Sequence, residues 1–249
     1  MSQIAIELKN ISKTYSVLDK DSQSLKGKIM SLITHTNRRE IKALTNVNLE
    51  IKKGEFFGIM GHNGSGKSTL LRIMAGAYPP DKGGVVKMHG RFMLLSLGLG
   101  FNPMLTAREN IYLNASILGL TLKQIGVIFH DIVAFAELDK FVDTQVKYYS
   151  TGMVARLKFA IAVHADADIF LMDEFFGGVG DASFKEKSEA VFHKSLVEGR
   201  TIIHVSHSIK TIEKHCSRVM LLHQGEIVGI GSPEEIIPEY QSLSKKKRK

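Results

Sequence analysis

Residues 4–8, IAIEL, alternate apolar and polar side chains, and Val47, Leu49 and Ile51 repeat that alternation, the pattern of half-buried antiparallel strands. EFFGIMG, residues 55–61, is more uniformly apolar, so it predicts a strand covered on both faces that runs straight into a glycine-rich turn. A helix is expected next over residues 68–75, stopped by Gly76 and then by Pro79 and Pro80.

From about residue 106 to 163 the pattern becomes helical. TARE at 106–109 and TLKQ at 121–124 each place threonine at an N-cap with an acid or amide three residues on, the capping-box arrangement. Gly119 lies between them, so two helices joined by a short turn are predicted. Beyond this helical lobe, DIFLMDE (168–174) and TIIHVSH (201–207) are apolar runs bounded by polar turns and read as buried parallel strands. A hairpin is expected around His223, Gln224 and Gly225, and SPEE (232–235) puts Ser at the N-cap, Pro at N1 and Glu at N3 of a last short helix. No internal repeat is visible.

Composition narrows this picture modestly. At 249 residues the chain can bury a full α/β core. The 33 Lys+Arg against 25 Asp+Glu leave a formal +8. That balance would suit nucleic acid or an anionic membrane surface. Five of those charges are Lys245, Lys246, Lys247, Arg248 and Lys249, so the body is only mildly basic. The single Cys216 allows no intramolecular disulfide and fits a reducing compartment. No apolar run approaches the roughly 18 residues of a membrane span, and the N-terminus lacks a signal-peptide pattern, so a cytoplasmic protein with at most peripheral membrane contact is expected.

The chemistry is densest in GHNGSGKST, residues 61–69. Gly61, Gly64 and Gly66 let backbone N–H groups turn toward phosphates, with Asn63, Ser65 and Thr69 completing the loop; Lys67 would neutralise phosphate oxygens and Ser68 offer a hydroxyl to Mg²⁺. Strand, glycine loop and helix is the context that this motif requires. In IFLMDE, Asp173 would join the Mg²⁺ shell and Glu174 would polarise a water for in-line attack on a γ-phosphate. An acidic pair ending a strand is commonly a turn or a cap; the loop upstream reverses that expectation.

The order phosphate loop, helical lobe, YYSTGM (148–153), FLMDE (170–174), Gly180-Asp181 and VSHS (205–208) resembles the nucleotide-binding subunit of an ATP-binding-cassette (ABC) transporter over residues 4 to about 240. The resemblance implies an α/β fold: a P-loop NTPase core with an antiparallel β subdomain and an inserted α-helical subdomain at about 100–163. It implies ATP and Mg²⁺ as ligands, and a homodimer in which two ATP molecules lie between head-to-tail subunits. By the same resemblance Ser150 and Gly152 face the γ-phosphate held by the partner, although Tyr149-Ser150-Thr151-Gly152-Met153 departs from Leu-Ser-Gly-Gly-Gln at three positions. A serine hydroxyl and open N–H groups at a helix start form an anion site whatever flanks them. His207 is implied as a γ-phosphate sensor, Asp181 as part of the loop crossing the dimer interface, and Tyr15 as the aromatic that stacks on adenine. Considered singly, each also fits a structural His, a surface turn or a half-buried strand tyrosine.

The family's usual glutamine before the lobe is missing, since none occurs between Gly90 and Thr121; Ser96 lies near its place. GLGFNPMLTARENIYLNASILGL (98–120), the YSTGM signature and GVGDASF (178–184) resemble the ATPases that export bacterial surface polysaccharides such as O-antigen, capsule and teichoic acid. The implied partners are a pair of polytopic permease subunits at the cytoplasmic face of the inner membrane and a polysaccharide cargo, expected to be lipid-linked; no nucleic acid is expected. An insertion at about 16–42 carries Leu25, Ile29, Leu32 and Ile33 at helical spacing, either a helix near the membrane partner or a packed surface loop. Residues 241–249 are expected to be a disordered basic tail able to touch anionic headgroups. The rivals are the same ATPase with a lipid, drug or solute as cargo, a soluble cassette ATPase acting on nucleic acid, and a phosphate-loop kinase, which would leave the STGM and VSHS stretches unexplained.

Overall fold

Strands β1 (Ile4–Leu18) and β2 (Arg38–Lys52) pair antiparallel from Ile4 opposite Lys52 to Leu18 opposite Arg38. The computed structural model describes residues 3–18, 38–96, 101–164, 167–173, 184, 188 and 199–246. Both strands are 15 residues long, well beyond the short alternating runs that announce them. Register shifts fall at Ile4/Ile6, Leu8/Ile11, Ile11/Lys13 and Lys13/Thr14, and the far ends, Ser16 and Val17 with residues 39–42, are exposed, so no alternation marks them. Each shift moves side chains to the other face, so a period of two cannot run unbroken. Asn10 and Asn46 hold φ of 52° and 48° in this stretch, a left-handed conformation that asparagine tolerates. β4 (Val85–Met88) completes this sheet against β1.

The second sheet has the order β5-β6-β7-β3-β8-β9, with β3 (Phe56–Met60), β5 (Phe92–Ser96), β6 (Ile169–Asp173), β7 (Thr201–Val205), β8 (Arg218–His223) and β9 (Glu226–Gly231). Its first five strands are parallel, and β9 returns antiparallel through the expected hairpin, where Gln224 and Gly225 have φ of 49° and 85°. The central strands are apolar on both faces because both are covered. Phe57, Ile59, Leu171, Ile203 and Met220 pack with Ile6, Leu8, Leu44 and Leu70 in one core cluster. Their neighbours Phe56, Met60, Phe170, Met172, Ile202 and Leu221 face the other way, onto Phe159, Phe184, Ile212 and Ile236.

Helix α1 (Lys67–Met74) follows β3 as anticipated, with Gly76 in the left-handed region at φ 69° beyond its end. The lobe consists of α2 (Ala107–Ile117), α3 (Leu122–Ala136) and α4 (Thr151–Val163), around a third core of Ile111, Ile125, Phe129, Ile132, Leu157 and Ile161. Both capping boxes are formed, Thr106 with Glu109 and Thr121 with Gln124. Gly119 makes the turn between α2 and α3 with φ 87°. α4 belongs to two cores at once, sending Leu157 and Ile161 into the lobe and Phe159 and Val163 toward the sheet.

α5 (Ile209–His215) leads to β8, and α6 (Pro233–Lys246) closes the described chain. The last helix is longer than the short one expected. It passes through the boundary placed at 240/241, because Tyr240 and Leu243 still find apolar partners on the core. At the insertion expected over 16–42, the flanks are strand rather than loop; Leu25, Ile29, Leu32 and Ile33 lie outside the described residues. Among the described residues, no helix is long and apolar enough to cross a membrane.

Candidate functional site

The phosphate-binding candidate is built from local chain geometry first. Gly64 and Gly66 have φ of 81° and 107°. A Cβ on Gly66 would lie 2.5 Å from the Ala43 carbonyl oxygen, and one on Gly61 would lie 2.3 Å from that of Leu222. The loop is therefore clamped between the antiparallel sheet and β8, and only glycine fits at both contacts. Gly66 is also the N-cap of α1, with no side-chain cap and no acidic residue in the first turn. A helix start without a side-chain cap, with its positive dipole end, suits an anion.

Lys67 is 7% exposed, and its ammonium donates to the carbonyls of Gly61 (2.7 Å) and His62 (3.0 Å), so the cation is held over the loop. Ser68 is exposed beside it, and Thr69 is half-buried. Ser65 Oγ is buried and lacks a hydrogen-bond partner among the described residues. A glycine cradle, an uncapped helix start and a fixed ammonium suit a polyphosphate and its divalent counter-ion.

Strand order then brings distant residues to this loop. Ser96 lies in register with Asp173, Asp173 with Val205, and Val205 with Ile59, so one row crosses the sheet at the carboxyl ends of four adjacent strands. Lys67 and Ser68 follow β3, His207 follows β7 and is exposed, and Asp173 ends β6 half-buried. Ligands of open parallel sheets sit at this edge. Ser96 thus has its backbone beside Asp173, which its sequence position alone left open. Glu174 and Asp181 lie outside the described residues.

Tyr15 sits on β1 opposite Ile41, two residues from the Ala43 carbonyl that touches the loop. Its ring meets Tyr78 edge-on at 6.3 Å, with Lys13 5.8 Å from the Tyr15 ring and the Arg72 guanidinium 5.9 Å from that of Tyr78. Ser150 and Gly152 stand apart in the lobe, at the start of α4. The Ser150 hydroxyl accepts from Met153 N at 3.2 Å, and its own proton remains for an acceptor. Just before it, Tyr149 donates to the Phe141 carbonyl at 2.6 Å and anchors the turn.

Two contacts at the loop and one cavity away from it were not anticipated. The β8–β9 turn braces the loop from below, with Gly225 N donating to Ser65 O at 3.0 Å. His62 stacks on Tyr240 of α6 at 4.9 Å and 20°. A cavity of about 620 Å³ opens between β5 and the lobe, lined by Phe92, Leu94, Phe101, Ile117 and Lys158 among others. Burial holds the Lys158 pKa below the usual lysine value. Tyr78 and Tyr240 could be noticed in the sequence only as stray aromatics, since their partners are far along the chain.

Similarity to known proteins agrees with this geometry. The teichoic acids export ATP-binding protein TagH of Lactococcus lactis is 39% identical over 97% of this chain and 52% of its own length. The O-antigen export system ATP-binding protein RfbB of Klebsiella pneumoniae is 37% identical over 95% of this chain and 97% of its own. The chain spans about half the length of TagH from L. lactis and of RfbB from Myxococcus xanthus. Among solved structures, the dimeric post-hydrolysis state of the ATP-binding cassette MJ0796 bound to ADP and Pi superposes with a TM-score of 0.70 at 25% identity, covering 92% of this chain and 98% of that one. Residues 44–177 match the ABC transporter family, and with that match covering more than half of the sequence the chain belongs to this family.

Proposed function

We propose that this chain is the ATP-binding and ATP-hydrolysing subunit of an exporter that moves a surface polysaccharide, such as O-antigen or teichoic acid, across the cytoplasmic membrane. The observation that carries the reading is the convergence of Lys67, Ser68, Asp173 and His207 at the ends of three adjacent parallel strands. The cargo rests on relatives named for teichoic acid and O-antigen export. A lipid-linked glycan is the form proposed.

In this reading the loop N–H groups and Lys67 hold the β- and γ-phosphates, while Tyr15 stacks on adenine. Ser68 and Asp173 hold Mg²⁺, which supplies charge neutralisation on the phosphate oxygens. Glu174 takes a proton from the attacking water, and His207 orients the γ-phosphate. A second copy of the chain, head-to-tail, contributes Ser150 and Gly152, with Asp181 in the crossing loop. ATP bridges the two copies; hydrolysis removes the bridge and lets them part. Because α4 is packed into both the lobe and the sheet core, motion at Ser150 reaches both.

The membrane permease pair would be met on the lobe side, where Ile117 and Leu122 are exposed and the cavity beside β5 opens. The protein is then peripheral to the inner face of the membrane. Lys67→Ala in the source cells tests this: surface glycan should disappear while polymer accumulates inside. Normal glycan at both locations, with the variant expressed and no second copy of the gene, would overturn the cargo assignment.

A further inference from the structure

Helix α6 reaches back from the end of the described chain to the phosphate loop. Its inner face is fixed first: Ile236 and Ile237 are buried in the core, and Tyr240 and Leu243 continue the same stripe at helical spacing. Ser232 N donates to Glu235 Oε2 at 2.9 Å, so the start of the helix is pinned as well. Tyr240 then lies on His62, rings nearly parallel at 20° with centroids 4.9 Å apart. Leu243 lines a cavity of about 270 Å³ with His62, Asn63, Gly64, Ser65 and the hairpin residues His223 and Gln224. Neither Lys67 nor Ser68 lines it, so α6 touches the loop away from its phosphate-facing cation.

His62 is a poor place for a passive contact. Its carbonyl receives both the Lys67 ammonium and the Ser65 N–H, at 3.0 and 3.1 Å. Ring and carbonyl belong to one residue, so a shift of the loop backbone that turns the carbonyl off Lys67 also carries the ring off Tyr240 and is resisted by the stack. The hairpin fixes Ser65 from below, and the Tyr240 ring fixes His62 from the side.

We propose that Tyr240 is a positioning residue for nucleotide binding, acting through the His62 ring to hold the phosphate loop in its binding shape. The proposal rests on the reading that this loop binds ATP. An aromatic pair of this kind holds its geometry by more than area alone, and losing it should weaken nucleotide affinity about three- to tenfold.

The test is a set of variants of the full chain measured with MgADP by calorimetry and with ATP by steady-state hydrolysis. Tyr240→Ala should weaken MgADP binding and raise KM for ATP by that factor, with kcat changed less than twofold. Tyr240→Phe, which keeps the ring, should restore wild-type values, whereas Tyr240→Leu should not. In a His62→Ala background, Tyr240→Ala should have no further effect. If wild-type protein binds neither MgADP nor ATP, the nucleotide reading fails. If it binds both and Tyr240→Ala binds equally well, or if Leu rescues as fully as Phe, the positioning role is overturned while the nucleotide reading stands.

Discussion

The N-termini of α1 and α2 solve one electrostatic problem in opposite ways. At α2, Thr106 accepts from Glu109 N, and the Glu109 carboxylate accepts from Thr106 N at 2.8 Å, while Ala107 N and Arg108 N donate to the Thr144 and Val142 carbonyls, so the protein itself closes this helix start. That interaction also holds the Glu109 carboxyl below the usual range. At α1 the cap is Gly66, and no side chain comes back. The first is closed by side chains and neighbouring carbonyls; the second has no side-chain cap, the arrangement that the proposed phosphate binding requires. α4 is intermediate: Ser150 uses its oxygen as a cap and keeps its proton.

Removing the chemistry at α1 should give the largest effect. Lys67→Ala is predicted to lower ATP hydrolysis by roughly 10²–10³-fold, measured by phosphate release, while circular dichroism stays that of the folded chain. Gly66→Ala should do at least as much and also destabilise, since its φ of 107° and the Ala43 carbonyl both oppose a Cβ. Hydrolysis retained in both variants would erase the distinction between the open and the closed helix start.

The second prediction probes the sheet that supports α1. His204 on β7 is fully buried, and burial, helped by the neighbouring His215, lowers its pKa from the ordinary 6.5 to about 4. The unfolded chain takes up this proton first as pH falls. Stability contributed by neutral His204 is therefore complete above the ordinary value and is lost between about 6.5 and about 4. Urea titrations should show a loss of about 2 kcal/mol between neutral pH and about pH 5, and His204→Leu should flatten that slope.

Ser150→Ala sharpens the intermediate case. It should cost about 1 kcal/mol of stability as a lost cap and lower hydrolysis about tenfold or more, with MgADP affinity of the single subunit unchanged. If stability falls and hydrolysis does not, Ser150 is a cap alone. The smallest effect is expected at Thr106→Ala: a loss of about 1 kcal/mol in urea unfolding with no change in nucleotide affinity. A change in affinity there would show that the lobe cap is coupled to the loop after all.

How well each region could be read in advance follows the range of its signals. The capping boxes of Thr106 and Thr121, the turn at Gly119 and the loop from Gly61 to Thr69 are encoded within a few residues, and they appear in the structure where the sequence places them. β1 and β2 are legible only over residues 4–8 and 47–51, because register shifts interrupt β1 between Leu8 and Thr14 and the far ends of both strands are exposed and carry no apolar face. The length of α6 depends on Tyr240 and Leu243 finding core from other parts of the chain. The stack on His62 and the meeting of Tyr15 with Tyr78 have the same long-range origin.

By itself the sequence determined the chemical inventory: a glycine loop with Lys67 and Ser68, an acidic strand end at Asp173, a histidine after a buried strand at 207, and a serine-capped helix at 150. These are short-range properties of side-chain type and spacing. Tertiary structure decided which of them meet. The strand order β6-β7-β3 places Asp173 and His207 beside the loop, and the pairing of β5 with β6 puts Ser96 next to Asp173. Strand order reflects the packing of whole faces across more than a hundred residues of chain, from Phe57 to Ile203, and no local pattern specifies it.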